Sequence, residues 1–113
     1  MKPAKAITKA TVESILPIVD EIAESIVILL KSDSDNTMPG NITWKLSDVI
    51  KVDQLTINIV GTILNPKKGI LNADDKTRLK ILVSNNLNTI YGKGWKISLT
   101  TVKGQYIVNI IVK

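Results

Sequence analysis

The chain contains no cysteine, no histidine and no phenylalanine. Without cysteine there is no disulfide framework, no thiol nucleophile and no iron–sulfur ligand. Without histidine there is no imidazole general base and no ordinary zinc site. Aromatics are scarce, at two Trp and two Tyr, too few for a platform on which bases stack. Long apolar runs are missing too. The longest is Ile26 to Leu30, far short of the roughly 20 residues of a membrane span. The N-terminal MKPAKAITKA carries lysines, but no apolar core of a signal peptide follows directly. The stretch beyond is broken by Pro17, Asp20, Glu21 and Glu24. No secretory signal is therefore expected, and the expected location is the cytoplasm or a virion. Asn41-Ile42-Thr43 matches the glycosylation sequon, which has little weight without a signal.

What is present is aliphatic. The 113 residues are 44% hydrophobic, which suits one domain, residues 1–113, with one core and no covalent staples. A chain this rich in Ile, Val and Leu is not expected to be disordered.

Val12, Ile15, Leu16, Val19, Ile22, Ala23, Ile26, Val27 and Leu30 recur at three- and four-residue spacing, the period of one helix face. Thr11 is the expected N-cap. Glu13, Asp20, Glu21 and Glu24 give the opposite side an acidic character. Pro17 should kink this helix, because it removes a backbone donor and clashes with the preceding turn. Lys31 to Asn41 mixes Asp, Ser, Asn, Pro and Gly, and reads as a loop.

Ile42, Trp44 and Leu46 alternate with Thr43 and Lys45, which reads as a short strand. Asp48 to Val52 adds either another short strand or a turn. In Leu55–Leu64, the residues Leu55, Ile57, Ile59 and Ile63 share a face, and Gly61 signals a bulge or a close approach. A turn is expected over Asn65–Gly69. A second helix follows, capped by Asn72 and with Asp74 and Asp75 in its first turn, where the dipole favours acids. Leu79, Leu82, Val83, Leu87, Ile90 and Tyr91 form its apolar stripe, and Gly92 ends it.

Trp95–Val102 and Gln105–Val112 flank Lys103-Gly104, a two-residue hairpin turn. Val102 then faces Gln105, and Thr101–Tyr106, Leu99–Val108, Ile97–Ile110 and Trp95–Val112 fall on one largely apolar face. A one-residue slip would destroy that agreement. The order helix, strand, strand, helix, strand, strand argues an α+β domain. Its antiparallel sheet should have four to five strands, with both helices on one face. Val60, Leu64, Ile107 and Ile111 would then be left on the uncovered side, where exposed aliphatics mark an interface.

Charge is unevenly distributed. Residues 1–56 hold six Lys against eight acids, a net of −2. Residues 57–113 hold eight Lys and Arg78 against Asp74 and Asp75, a net of +7. Such asymmetry points to a partner. Three readings follow. A basic half lies on a polyanion, acidic and basic halves meet between subunits, or the lysines are merely solvated. Fourteen Lys to one Arg argues against base-specific recognition, which favours the bidentate guanidinium.

Chemical motifs are weak. Asp20/Glu21 and Asp74/Asp75 are neighbours on helices and do not face each other, so no glycosidase-type carboxylate pair is expected. Ser84 and Ser98 stand in no nucleophile-elbow sequence. Asp33-Ser34-Asp35-Asn36-Thr37 has the oxygens of a calcium loop but has Met38 where the glycine belongs, and Trp44 where the last acid belongs. Gly92-Lys93-Gly94 lacks phosphate-loop spacing and reads as a helix stop and strand entry.

These residues predict a non-catalytic, self-assembling structural protein, a homo-oligomer or part of a larger assembly. Its acidic face is Glu13, Asp20, Glu21 and Glu24. The alternative is a small nucleic-acid-binding protein with Lys67, Lys68, Lys76, Arg78, Lys80, Lys93, Lys96 and Lys103 toward phosphates. The element order is compatible with small ring-forming connector proteins of tailed phages and equally with several small nucleic-acid-binding α+β folds, an analogy of architecture that does not give function. A virion or connector component is one expected setting for the structural reading. No cofactor, metal, membrane or small-molecule substrate is expected.

Overall fold

The computed structural model describes residues 11–37, 41–51, 54–65, 67 and 70–112. The elements run α1 (Val12–Ile15), a 3-10 turn (Leu16–Ile18), α2 (Val19–Thr37), β1 (Ile42–Ile50), β2 (Leu55–Ile63), α3 (Ala73–Tyr91), β3 (Lys96–Val102) and β4 (Gln105–Val112). This is the expected α+β order.

Helix α1 starts with a reciprocal cap. The Thr11 hydroxyl accepts from the Ser14 N–H at 3.1 Å, and the Ser14 hydroxyl accepts from the Thr11 N–H at 2.9 Å. Pro17 breaks the α-helix into a single 3-10 turn, and α2 resumes at Val19. The apolar stripe survives the break, since Ile15, Val19, Ile22, Ala23, Ile26, Val27 and Leu30 are all buried. Leu16 leaves the stripe and is 38% exposed, because the tighter turn rotates it outward. The loop expected from Lys31 is corrected: α2 continues to Thr37. Ser34 prolongs the buried stripe one turn past Leu30, so tertiary packing overrides the turn propensity of Asp, Ser and Asn. The Asp33–Thr37 segment is accordingly helix.

Strand β1 is longer than the alternation in Asn41–Leu46 suggests. A register shift between Leu46 and Asp48 admits one extra residue, and pairing with β2 resumes through Ile50. Such a bulge reverses the in–out alternation, which hides the strand's second half from a period-two reading.

The four strands are all antiparallel and lie in the order β1-β2-β4-β3. The β3–β4 register is the one counted from the sequence, with Val102 opposite Gln105, Thr101 opposite Tyr106, Leu99 opposite Val108 and Ile97 opposite Ile110. Trp95 precedes β3 and takes no part in it. Its indole N–H donates to the Gly92 carbonyl at 2.9 Å, and the side chain is half-buried against the core. Gly92 ends α3 with φ at 84°. The Asn72 side chain caps its start, accepting from the Asp75 N–H at 2.8 Å.

Both helices lie on one face. The core joins Ile22, Ile26 and Leu30 of α2, Leu79, Val83 and Leu87 of α3, and the inward row of each strand. Each fully buried aliphatic contributes about 1.5–3 kcal/mol, so this layer outweighs any single polar pair. Two hydroxyls serve buried donors at its rim. Ser34 accepts from the Trp44 indole at 2.6 Å, and Tyr106 accepts from the Leu71 N–H at 2.6 Å. The architecture is also an internal repeat of topology. Two α-β-β halves meet along β2 and β4. No sequence repeat reports this, because backbone topology does not require matching side chains.

Candidate interaction surface

The sheet order converts the charge asymmetry of the chain into a lateral one. The first half supplies α1, α2, β1 and β2, and the second supplies α3, β4 and β3. The halves therefore sit side by side, with β1 and β3 as opposite edges. Glu13, Asp20, Glu21 and Glu24 are all exposed on α1 and α2. Asp20 and Glu24 line a groove of about 380 Å3 between α2 and edge strand β1, together with Val27, Trp44 and Leu46. Lys31 and Lys45 line its other end.

The basic residues divide into three groups. Lys80 lines a groove of about 350 Å3 between α3 and edge strand β3, with Ile81, Trp95 and Ile97. Exposed Lys93 and Lys96 lie at the entry to the same strand. Lys67 and Lys103 are exposed at the opposite end of the sheet, where the Ile63 N–H donates to the Gly104 carbonyl at 3.0 Å. Lys76 is half-buried, its ammonium 5.8 Å from the Tyr106 ring centroid. Lys68 lies outside the described residues.

Arg78 stands apart from the lysines. Its guanidinium is paired with Asp33 of α2 and lies 3.8 Å from Asp75 on its own helix. The one arginine of the chain thus ties the helices together, its charge matched by Asp33 and Asp75.

Among the described residues, no helix packs on the other face of the sheet. Val60, Ile107 and Ile111 are half-buried there, and Leu64, just past β2, is 58% exposed. Through its centre runs a polar row that spans every strand. Asn58 donates to Asp48 at 2.8 Å, Asn109 donates to Asn58, and Ser98 donates to Asn109 at 3.4 Å. Ser98 and Asn109 are opposite each other in the β3–β4 register, alternating with the inward Ile97, Leu99, Val108 and Ile110. The Asp48–Asn58 contact depended on the β1 bulge, which has no sequence signal.

Among the described residues no cluster of three His, Cys, Asp or Glu side chains is placed to hold a metal ion. No described helix is long and apolar enough to cross a membrane. Comparison with protein-family models, curated proteins and solved structures finds no match.

Proposed function

We propose that this chain is a non-catalytic structural module that assembles head-to-tail with copies of itself. The observation supporting this is the placement of Asp20 and Glu24 in the groove beside β1, and of Lys80, Lys93 and Lys96 beside β3 at the opposite edge. Two unlike, complementary edges favour a heterologous contact, which closes into a ring or extends as a filament. At the β3 edge an isologous contact would line one seam with the lysines of both copies and no acid in either groove, which is unfavourable. A component of a virion or connector is one setting that such a module suits.

Light scattering tests the reading. The wild type should form a defined oligomer that loosens with salt, and a monomer at tens of micromolar would overturn it. Reversing Asp20 and Glu24 to Lys, or Lys80 and Lys96 to Glu, should leave each protein monomeric. Mixed together, the two variants should co-assemble, because each then presents the edge that the other lacks.

A second reading is phosphate-backbone binding along the β3 side. It is supported by exposed Lys80, Lys93 and Lys96 at one end of β3. It predicts a gel shift that weakens steeply with salt. No shift at low salt would end it.

A further inference from the structure

The backbone at the two sheet edges carries the assembly reading further. Two hydrogen bonds set the phase of the whole sheet: Ile63 N–H to the Gly104 carbonyl at 3.0 Å, and Leu64 N–H to the Asn41 carbonyl at 2.7 Å. In antiparallel pairs, residues alternate between exchanging both bonds with one neighbour and turning both groups the other way. Odd-numbered residues of β2 therefore bond to β4, and even-numbered ones bond to β1. Counting outward through the registers, Thr43 and Lys45 bond to β2. The N–H and C=O groups of Ile42, Trp44 and Leu46 consequently point off the free edge of β1. On the other side, Lys96, Ser98, Thr100 and Val102 bond to β4. The groups of Ile97, Leu99 and Thr101 point off the free edge of β3.

These edges are guarded differently. Past Leu46, β1 is broken by its bulge and carries Asp48, both of which hinder strand addition. From Ile97 to Val102, β3 has no charge, proline or bulge. Such an edge is a template for another strand.

Direction and chemistry then select the partner. The strands alternate in direction across β1-β2-β4-β3, so β1 and β3 run opposite ways. A second copy in the same orientation presents its β1 antiparallel to β3 and its helices on the same side. The half-buried Ile97 and Leu99 of β3 lie inward, as do Trp44 and Leu46 of β1, so the joined strands keep one apolar face. The apolar parts of the two grooves, Ile81 and Trp95 against Val27 and Leu46, become one interior.

The charges match by level as well. Ser34 bonds Trp44, so the C-terminal part of α2 lies over the Trp44 row, and Asp20 and Glu24 lie toward the Val49–Ile57–Ile110–Ile97 end. Lys80 and Lys96 are at that same end of β3. Lys31 is two residues from Asp33, which pairs with Arg78, so it lies toward the N-terminal part of α3, where the second half carries its two acids, Asp74 and Asp75.

We infer that β3 of one copy pairs with residues Ile42–Leu46 of β1 in the next, so that the assembly is one continuous antiparallel sheet backed by a single layer of helices. The inference rests on the self-assembly reading and adds the contact that builds it.

Amide hydrogen exchange on the wild-type chain tests it, read at a concentration where light scattering shows the oligomer and again where dilution gives monomer. In the oligomer, the amides of Ile97, Leu99, Thr101, Ile42, Trp44 and Leu46 should slow by at least about tenfold relative to the monomer. Those of Ser98 and Thr100, already bonded within the chain, should change much less. An oligomer in which the six edge amides exchange at the monomer rate would overturn strand pairing while leaving self-assembly standing. A wild-type monomer at every concentration overturns both. Thr101→Pro gives an independent reading, since it removes an outward donor but no bond within the sheet. It should melt near the wild type and fail to assemble, and assembly at wild-type strength would count against the pairing.

Discussion

Trp44 and Gly61 face each other across β1 and β2, and the indole occupies the space that a side chain at position 61 would need. A Cβ on Gly61 would come within 2.5 Å of the Trp44 ring. The ring is 1% exposed, and Tyr106 stands beside Gly61 on the other neighbouring strand. The glycine is therefore a spacing requirement between two large aromatics. Gly61→Ala should destabilise the fold by about 1–3 kcal/mol through overpacking. Chemical denaturation followed by tryptophan fluorescence measures this, and an unchanged midpoint would contradict the packing described.

The same indole makes a second prediction. Ser34 supplies the acceptor for its buried N–H at 2.6 Å. Ser34→Ala strands that donor in an apolar setting, at a cost of about 1–3 kcal/mol. Ser25, whose hydroxyl merely donates to the Ile22 carbonyl of its own helix, should tolerate alanine with little change. Equal losses at the two serines would refute the distinction.

Arg78 and Asp33 join α3 to α2. The arginine side chain is 40% exposed, so screening by water limits its value. Arg78→Met and Asp33→Asn should each lower stability by about 1 kcal/mol or less. The double variant should lose less than the sum of the two, and the coupling should shrink in salt. Strict additivity in a double-mutant cycle would show that the pair contributes nothing.

On the face away from the helices, the Asp48–Asn58–Asn109–Ser98 row separates Val60 and Ile107 from Ile111. Replacing Asn58 and Asn109 together by Val would merge these aliphatics into one patch. The double variant should remain folded yet precipitate or form disordered aggregates at concentrations where the wild type is clear. Turbidity measures this. Unchanged solubility would mean that the row does not keep the face dispersed.

The helix caps, the helix stripes apart from exposed Leu16 and Ile90, and the two-residue hairpin with its register from Ile97 to Val102 were legible from residue order, because each depends on neighbours a few positions apart. Thr11, Asn72, Gly92 and the alternation around Lys103-Gly104 are of this kind. The last turn of α2 and the second half of β1 were not legible. Ser34 is helical because Trp44, ten residues on, needs its hydroxyl. Val49 and Ile50 extend β1 because one bulged residue resets which side faces in. Both outcomes depend on contacts that local propensity does not contain.

The candidate surface divides along the same line. Composition and the order of charges determined that one half of the chain is acidic and the other basic, whatever the fold. Whether those halves would interleave or stand apart was a matter of strand order alone. With β2 beside β4, each half keeps its own edge, so Asp20 and Glu24 end up on the side opposite Lys80 and Lys96. Interleaving the two hairpins would have mixed the signs with no change in any local pattern. Long-range pairing is chosen by the burial of whole faces, a property of the assembled core rather than of any short stretch of residues.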